Sequence, residues 1–391
     1  MRDDDGVTGV AQEVMGQDLQ AMLRGAVRAG LEVCLEAELD AVIGADWYAR
    51  VGGRRDHRNG RYRRQLLTSL GRVDLAVPRG RRGGRRSEVV GRYQRRMREV
   101  DGLLTSAYVH GVSTRKAGAV TTALLGERVS RSTVSRVTKR LDQTVEGLRR
   151  APIGGPHPYL FLDATFIDAR WARKVENVSA LVAYAVGPDG YRHLLGVTLG
   201  AEESEASWSE LLRQLTERGL TGVQLVIADD HAGLAAAVRR WIPEARRQRC
   251  VVHLERNVLT KAPHRLRARL AREVADVFRA TSLAAAKARL ARFRTRWRVQ
   301  LPEAVACLEA GFAAATAYFA FPRAHWRRLR TTNSVERLHG EIKRRTRSVG
   351  AFPDRASALR LITAVAIAVT AIWGDRRYLD VDLLASAVQA A

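Results

Sequence analysis

Carboxylates stand at element ends in three separate stretches of this 391-residue chain. Asp163 follows the apolar run Tyr159-Leu160-Phe161-Leu162, and Asp229 with Asp230 follows Val223–Ala228. The third stretch, Thr331 to Arg345, carries Glu336 and Glu341. Ligands of open α/β sheets collect where strands end, so an aspartate from each of two strands and a glutamate from a later helix could converge. Converging carboxylates with no local Cys or His cluster favour a hard, oxygen-preferring cation, Mg²⁺ or Mn²⁺. Two such ions about 3.5–4 Å apart activate an attacking oxygen and stabilise a leaving one in phosphoryl transfer. Strand alternation does not choose between Asp229 and Asp230.

The helix expected from about Asn333 or Ser334, either of which could be its N-cap, has two distinct faces. At about 100° per residue Glu336, His339, Gly340 and Lys343 share one, and Val335, Leu338 and Ile342 form an apolar stripe beside it. Glu336 thus has a bare glycine and a cation as neighbours, an arrangement that can hold a metal ion and let a phosphate backbone approach. Glu341 lies at contact spacing from Arg337, Arg344 and Arg345 and reads as a surface ion pair. The helix alone does not choose between a metal-facing and a solvated Glu336. Lys343, Arg344 and Arg345 are candidate DNA contacts.

A net charge of +25 and a pI near 11.1 favour a polyanionic partner, nucleic acid before membrane. Such charge would also draw DNA towards carboxylates that otherwise repel it. Nearly all the cations are Arg, with about six Lys, and Arg forks suit phosphates and base edges. Hydrophobic residues make up 46%, which excludes a disordered tail protein. Cys34, Cys250 and Cys307 are too scattered for a disulfide framework and suggest a reducing compartment. The start, Met1-Arg2-Asp3-Asp4-Asp5, lacks the apolar core of a signal peptide, and the apolar run Leu361–Trp373 is too short to span a bilayer. A cytoplasmic chain with no membrane partner is expected. No Gly-Lys pair occurs, so neither a P-loop nor ATP dependence is expected.

Around the carboxylates, residues 10–43 carry an amphipathic helical pattern ending at Gly44, for a core or a dimer face. Residues 56–78 alternate as a hairpin, and Arg79–Arg86 is a cationic loop offering Arg79, Arg81 and Arg82 to phosphate. One helix opens at Gly111-Val112-Ser113-Thr114-Arg115 and reaches Leu125. Gly126 breaks it, and Ser130-Arg131-Ser132-Thr133-Val134-Ser135-Arg136 opens a second. The pair matches a helix-turn-helix, with Arg131, Thr133, Ser135 and Arg136 as candidate DNA contacts. Three prolines in 151–158 mark a domain boundary. Beyond it strands and helices alternate: strands at 159–162, 178–186, 191–199, 223–228 and 248–253, helices at about 203–218 and up to Trp241, then helix to about Arg328.

The chain resembles a bacterial insertion-sequence transposase of the Mutator-like group, with a DDE catalytic core. The matching stretches are Arg58-Asn59-Gly60, Gly111 to Arg115, Leu162-Asp163-Ala164, Asp229-Asp230-His231-Ala232-Gly233-Leu234 and Arg249 to Asn257. Phe321 to Trp326, Thr331 to Arg347 and Val349-Gly350-Ala351-Phe352-Pro353 complete the set, in the family's order. The resemblance implies an α/β, ribonuclease-H-like core (a mixed sheet flanked by helices) split by an all-helical insertion, behind a mainly helical N-terminal DNA-binding region. The corresponding boundaries are 1–110 for the DNA-binding region, 111–150 for the helix-turn-helix, 151–255 and 329–391 for the two parts of the core, and 256–328 for the insertion.

By position the resemblance makes Asp163, Asp229 and Glu336 the catalytic, metal-holding triad, with two Mg²⁺ ions (Mn²⁺ possible). The family pattern around the second aspartate selects Asp229 over Asp230; Ala228 stands where Ser is often found. Cys250 and His253 match a Cys-x-x-His element of the insertion. They lack the two further ligands zinc requires, so a structural or DNA-positioning role is expected. His231 could touch substrate or cap its helix, and Asp168 is expected to face solvent. The activity implied is cleavage and joining of double-stranded DNA at terminal inverted repeats and target, by a homodimer or higher oligomer pairing two ends. A DNA-binding protein that has kept the fold and lost transposition is the competing class, and a nuclease that cuts without joining is another. His325-Trp326-Arg327-Arg328 with Tyr378 matches the His-x-x-Arg and Tyr of tyrosine recombinases, but that reading leaves the three carboxylates unexplained.

Overall fold

Alternating burial along residues 71–77, facing a buried end at Leu66–Thr68, builds the first structured sheet. Strands β1 (Arg58–Thr68) and β2 (Gly71–Gly80) pair antiparallel across a two-residue turn closed by Gly71, whose φ of 105° suits glycine. In the computed structural model, residues 4–82, 87–171 and 174–384 are described, the side chains of residues 4–17 and of Trp171 aside. Part of the cationic loop expected at 79–86, residues 83–86, thus lies outside the described residues.

The chain divides into two compact units, Met1–Thr138 and Lys139–Ala391. The first begins with α1 (Asp4–Ile43), longer than its periodicity suggested and ended by Gly44 at φ 71°. Its C-terminal half buries Leu35, Leu39 and Ile43, with Leu35 packed on the hairpin's Leu66, Val73 and Leu75. Leu19, Met22 and Leu23, on its N-terminal half, stay exposed. Helices α2 (Arg98–Val109), α3 (Thr114–Leu125) and α4 (Arg131–Thr138) pack around Leu104, Ala117, Val134 and Val137. Ser113 caps α3 by accepting from the Lys116 amide, and Gly126 ends it in the left-handed conformation at φ 65°, as its position suggested.

The second unit opens with α5 (Leu141–Arg150), a helix the sequence grouped with the N-terminal half. The Asp142 carboxylate accepts from Arg360 at 2.6 and 2.9 Å, which fastens α5 to α14 (Arg355–Thr370). Strands β3 (Tyr159–Trp171), β4 (Lys174–Val186), β5 (Arg192–Gly200), β6 (Leu225–Ala228) and β7 (Arg246–Arg249) form one mixed sheet. Its order is β5-β4-β3-β6-β7, antiparallel from β5 to β3 and parallel from β3 to β7. Strand β6, Leu-Val-Ile-Ala, is buried at all four positions, as an inner parallel strand must be. Helices α6 (Glu205–Glu217) and α7 (Ala232–Trp241) cover one face, where Trp208, Leu211, Leu212 and Leu215 meet Leu160, Leu162 and Val226. Each such large side chain contributes about 1.5–3 kcal/mol of burial.

After β7 come α8 (Val251–Thr260), α9 (His264–Phe278), α10 (Leu283–Trp297) and α11 (Pro302–Ala315), which enclose a second apolar core. Short α12 (Trp326–Leu329) leads to α13 (Asn333–Thr346) and then to α14. With the 3₁₀ turn that continues it, α14 runs 21 residues, Arg355–Asp375. By length and composition it is apolar enough to cross a membrane, although Leu361–Trp373 alone reads as too short. It packs instead on β3, β5, α5 and α13, and Leu361, Ile362 and Val365 are buried there.

Three local expectations are corrected. Asp163 does not end its strand: β3 continues eight residues further, paired with β4, because Thr165, Ile167 and Ala169 keep supplying a buried face. The last strand is Arg246–Arg249 rather than 248–253, since Val251, Leu254 and Val258 are buried at helical spacing in α8. The N-cap of α13 is Thr332, not Asn333 or Ser334.

Candidate active site

Register brings the two aspartates together. Phe161 on β3 lies opposite Ile227 on parallel β6, so Asp163 and Asp229 each follow two residues later on neighbouring strands and on the same side. Strand β6 stops at Ala228, which frees Asp229 at its tip. Asp163 is only 9% exposed.

Glu336 arrives through a knot of backbone bonds. The Cys250 amide donates to the Ala228 carbonyl at 2.8 Å, and the Val251 amide to the Arg330 carbonyl at 2.9 Å. The buried Cys250 sulfur accepts from both the amide and the hydroxyl of Thr332, at 3.3 Å each. The start of α13 is thereby tied to the ends of β6 and β7, and Glu336 sits in its first turn. Val335, Leu338 and Ile342 are the buried stripe of this helix, as their spacing requires.

The same knot starts α8 and aims His253 and Arg256, three residues apart, at the carboxylates. His253 Nε2 lies 3.3 Å from Glu336 Oε1, and its Nδ1 lies 3.9 Å from Asp229 Oδ1. Arg256 donates to both oxygens of Glu336, at 2.8 and 3.3 Å. His339 Nδ1 stands 3.4 Å from Asp163 Oδ2. Asp229 and Glu336 thus flank His253, and Asp163, near enough to feel its charge, faces His339. Arg256 is a site residue the sequence reading missed, although its i+3 spacing from His253 was visible; His339 was placed on the Glu336 face but given no role.

Electrostatics separate the two imidazoles. Contact with the Cys250 thiol, then the charges of Asp229 and Asp163, hold the His253 pKa up at about 9 against the cost of burial. Burial, then the cations Lys343 and His253, push His339 down to about 3. Near neutral pH, His253 is a cation and His339 a neutral ring. Burial raises Asp163 to about 7, with Glu336 and Asp229 adding to it and His253 and the Ala164 amide opposing. The site thus holds one carboxylate that ionises reluctantly and gains from any cation brought near it.

The neighbouring acids have other roles. Asp230 pairs with Arg249 at 2.9 Å, Glu341 pairs with Arg344 at 2.9 Å on the surface, and exposed Asp168 accepts from Asn177. His231 occupies the N-cap of α7 without a side-chain capping bond and lies 4.0 Å from Glu203. His325 is buried between the Tyr159 hydroxyl (2.7 Å) and the Asp380 carbonyl (2.9 Å), which is a packing role. By donor type, the three carboxylates suit a hard cation. In the arrangement described, with His253 and Arg256 against them, no three acidic, His or Cys side chains among the described residues are grouped closely enough to hold one.

Of the candidate DNA contacts, Arg131, Ser135, Arg136, Arg79, Arg81, Arg82, Lys343 and Arg344 are exposed, and Thr133 is half-buried against Ser130. Arg345 is not with them: it is 8% exposed and turned inward, 3.5 Å from Glu341, on the buried side of α13.

A family model described as "Transposase, Mutator family" matches residues 5–375. The chain belongs to the Mutator family of transposases. A relative within it, the transposase for insertion sequence element ISRM5 of Rhizobium meliloti, is 38% identical over 361 residues, covering 92% of this chain and 91% of its own. The transposase of IS1081 from Mycobacterium tuberculosis is 34% identical over 94% of this chain and 89% of its own. That of IS256 in transposon Tn4001, from Staphylococcus aureus, is 35% identical over 89% and 90% respectively. This Mutator-family chain thus matches its relatives nearly end to end, from the first unit through the carboxylate cluster to α14.

Proposed function

We propose that this transposase binds the terminal inverted repeats of its insertion sequence and cleaves and joins DNA strands at the Asp163–Asp229–Glu336 cluster. The reading rests on one observation above all: Asp229 and Glu336 flank the imidazole of His253, and buried Asp163, from the neighbouring strand, feels the charges of all three. The mixed sheet with a carboxylate on each of two adjacent parallel strands favours a ribonuclease-H-like core, and α8–α11 would be its helical insertion. The Gly126 turn between α3 and α4 favours a helix-turn-helix in the first unit, with α4 as the DNA-reading helix.

Asp163, Asp229 and Glu336 would hold two Mg²⁺ ions, or Mn²⁺, and ATP would not be needed. When bound, such ions activate the attacking oxygen and stabilise the leaving one. The chain's own residues do the rest. His253 and Arg256 lie against Asp229 and Glu336 and offset their charge, which keeps clustered anions tolerable beside a buried Asp163. Gly340, exposed with nothing within 4 Å of where a Cβ would stand, leaves room for a phosphate backbone along α13. Lys343 and Arg344, exposed farther along, would meet that backbone. A water would attack for cleavage, and the freed 3′-hydroxyl would attack target DNA for joining. Pairing two ends calls for at least a dimer.

The test is cleavage and joining of labelled element-end DNA with Mg²⁺. Glu336→Gln should abolish both products while DNA binding persists, and Glu341→Gln should keep them. A wild-type protein that binds the ends yet stays inert with Mg²⁺ and Mn²⁺ would instead make this chain a DNA-binding derivative, and cleavage without joined products would make it a nuclease.

A further inference from the structure

A second site of opposite charge lies at the start of α13. Arg327, Arg328, Arg376, Asn333, Ser334 and Tyr378 line a cavity of about 380 Å³, with Thr331 completing it and no acidic residue in its wall. Below it, the Arg192 guanidinium stacks 4.4 Å from the Trp373 ring centre and 4.5 Å from that of Tyr378, and Arg328 lies 4.5 Å from Tyr378 as well. The Tyr184 hydroxyl hydrogen-bonds Ser334 from the buried side.

The Arg192 and Arg328 guanidinium groups are held by aromatic faces rather than by carboxylates. Most nearby acids are engaged elsewhere: Arg377 takes both Asp380 and Asp382 at 3.1 Å. Among the described residues, Arg192, Arg327, Arg328 and Arg376 form no ion pair with a carboxylate. Arg192 feels the crowding, because burial first, and then the charges of Arg328 and Arg337, lower its pKa. Cation–aromatic stacking orients a guanidinium but does not neutralise it. Cations gathered this way are relieved by an anion. The first-turn amides of α13, Asn333 and Ser334, have no acceptor within the helix and carry the positive end of its dipole.

We propose that this cavity is a seat for one backbone phosphate of the DNA strand that enters the carboxylate cluster. Asn333 precedes Glu336 by three residues on α13, so the seat lies about one helical turn, ~5 Å, along the helix from the cluster. A strand anchored there continues past Glu336 towards Gly340. The seat reads no base; it sets the register of the strand, as phosphate contacts do. The proposal rests on the DNA-transposase reading, and its test separates the two.

Arg327 and Arg376 are exposed and unpaired, so replacing them removes no interior contact. Binding of an element-end duplex is measured against salt for wild type, Arg327→Ala/Arg376→Ala and Arg376→Lys. The duplexes carry single neutral methylphosphonates at successive positions around the cleavage point. The double variant should bind about tenfold more weakly and lose about one unit of salt slope, the yield of one phosphate contact. One methylphosphonate should weaken wild type to a similar degree and leave the double variant unaffected, and Arg376→Lys, which keeps a cation there, should bind between wild type and the double variant. Wild-type slope in the double variant, or undiminished sensitivity to every methylphosphonate, overturns the seat. If the slope and methylphosphonate effects appear but Mg²⁺ yields no cleavage, the seat stands and the transposase reading falls. If wild type binds no DNA, both fall.

Discussion

Replacing Asp163 with Asn should stabilise the folded chain, increasingly so as pH rises. The carboxyl is buried at the end of the β3–β6 ladder, and its pKa is held up from 3.8 to about 7. Between those values the unfolded chain has released the proton and the folded chain keeps it. Each step up in pH therefore favours the unfolded state, until the folded group also ionises above about 7. A shift of about three units at 1.36 kcal/mol each makes the full loss about 4 kcal/mol. Asn cannot titrate and escapes that loss. Urea unfolding in EDTA at pH 5 and pH 8.5 would read it: the advantage of Asp163→Asn over wild type should grow by about 2–3 kcal/mol between the two. In thermal melts that is several degrees. Mg²⁺ at pH 8.5 should restore wild type and leave Asp163→Asn unmoved, because a ligand stabilises only the form that binds it. Equal pH dependence of the two proteins would refute the reasoning, and so would a variant that grows relatively less stable at high pH.

Other substitutions test neighbouring parts of the site. Gly340→Ala should raise stability by about 0.5–1 kcal/mol, since the helix gains propensity and the added Cβ meets nothing. Gly340→Leu should cut strand cleavage sharply while melting no lower than wild type, and full activity in it would remove the idea that DNA passes over this face. Cys250→Ala should cost about 1–3 kcal/mol by leaving the Thr332 donors unanswered, and turnover should fall further than DNA affinity; the check is denaturant melts beside single-turnover cleavage. Asp229→Asn should be inactive and Asp230→Asn active, because Arg249 and Arg247 already hold Asp230; equal damage from both in a cleavage assay contradicts that division. In the first unit, Arg131→Ala/Arg136→Ala should reduce the salt slope of end binding by about two, and an unchanged slope would take α4 off the DNA.

How much of this was legible depended on whether the determining interaction was local. The α3–Gly126–α4 turn, the hairpin expected at 56–78 and found at 58–80, and the apolar stripe of α13 follow from periodicity and one left-handed glycine. The end of β3 was not legible, because pairing with β4 carries that strand beyond Asp163 and cross-strand partners leave no local mark. Val251-Val252 looks like strand by composition, but the helical core claims Val251, Leu254 and Val258 at once. The Cys250–His253 pair could be found as a motif and not understood as one. Its thiol serves α13, more than 80 residues away, and its imidazole serves carboxylates from two other elements. Arg345 was misjudged for the opposite reason: it belongs to a run of cations, yet helical rotation turns it inward beside Lys343 and Arg344.

The three carboxylates come from β3, the end of β6 and α13, so the ribosome supplies them one after another. Glu336 is made about 170 residues after Asp163. At about 5–20 residues per second, that delay is on the order of ten seconds or more. During it the first unit is already complete and can fold, while the carboxylate cluster lacks its last member and the Thr332 anchor. On the proposed division of labour, a nascent chain would grip DNA before it could break it. A chain that terminates anywhere in the helical stretch between α8 and α12 would remain in that state for good, occupying the element's ends against its full-length sibling.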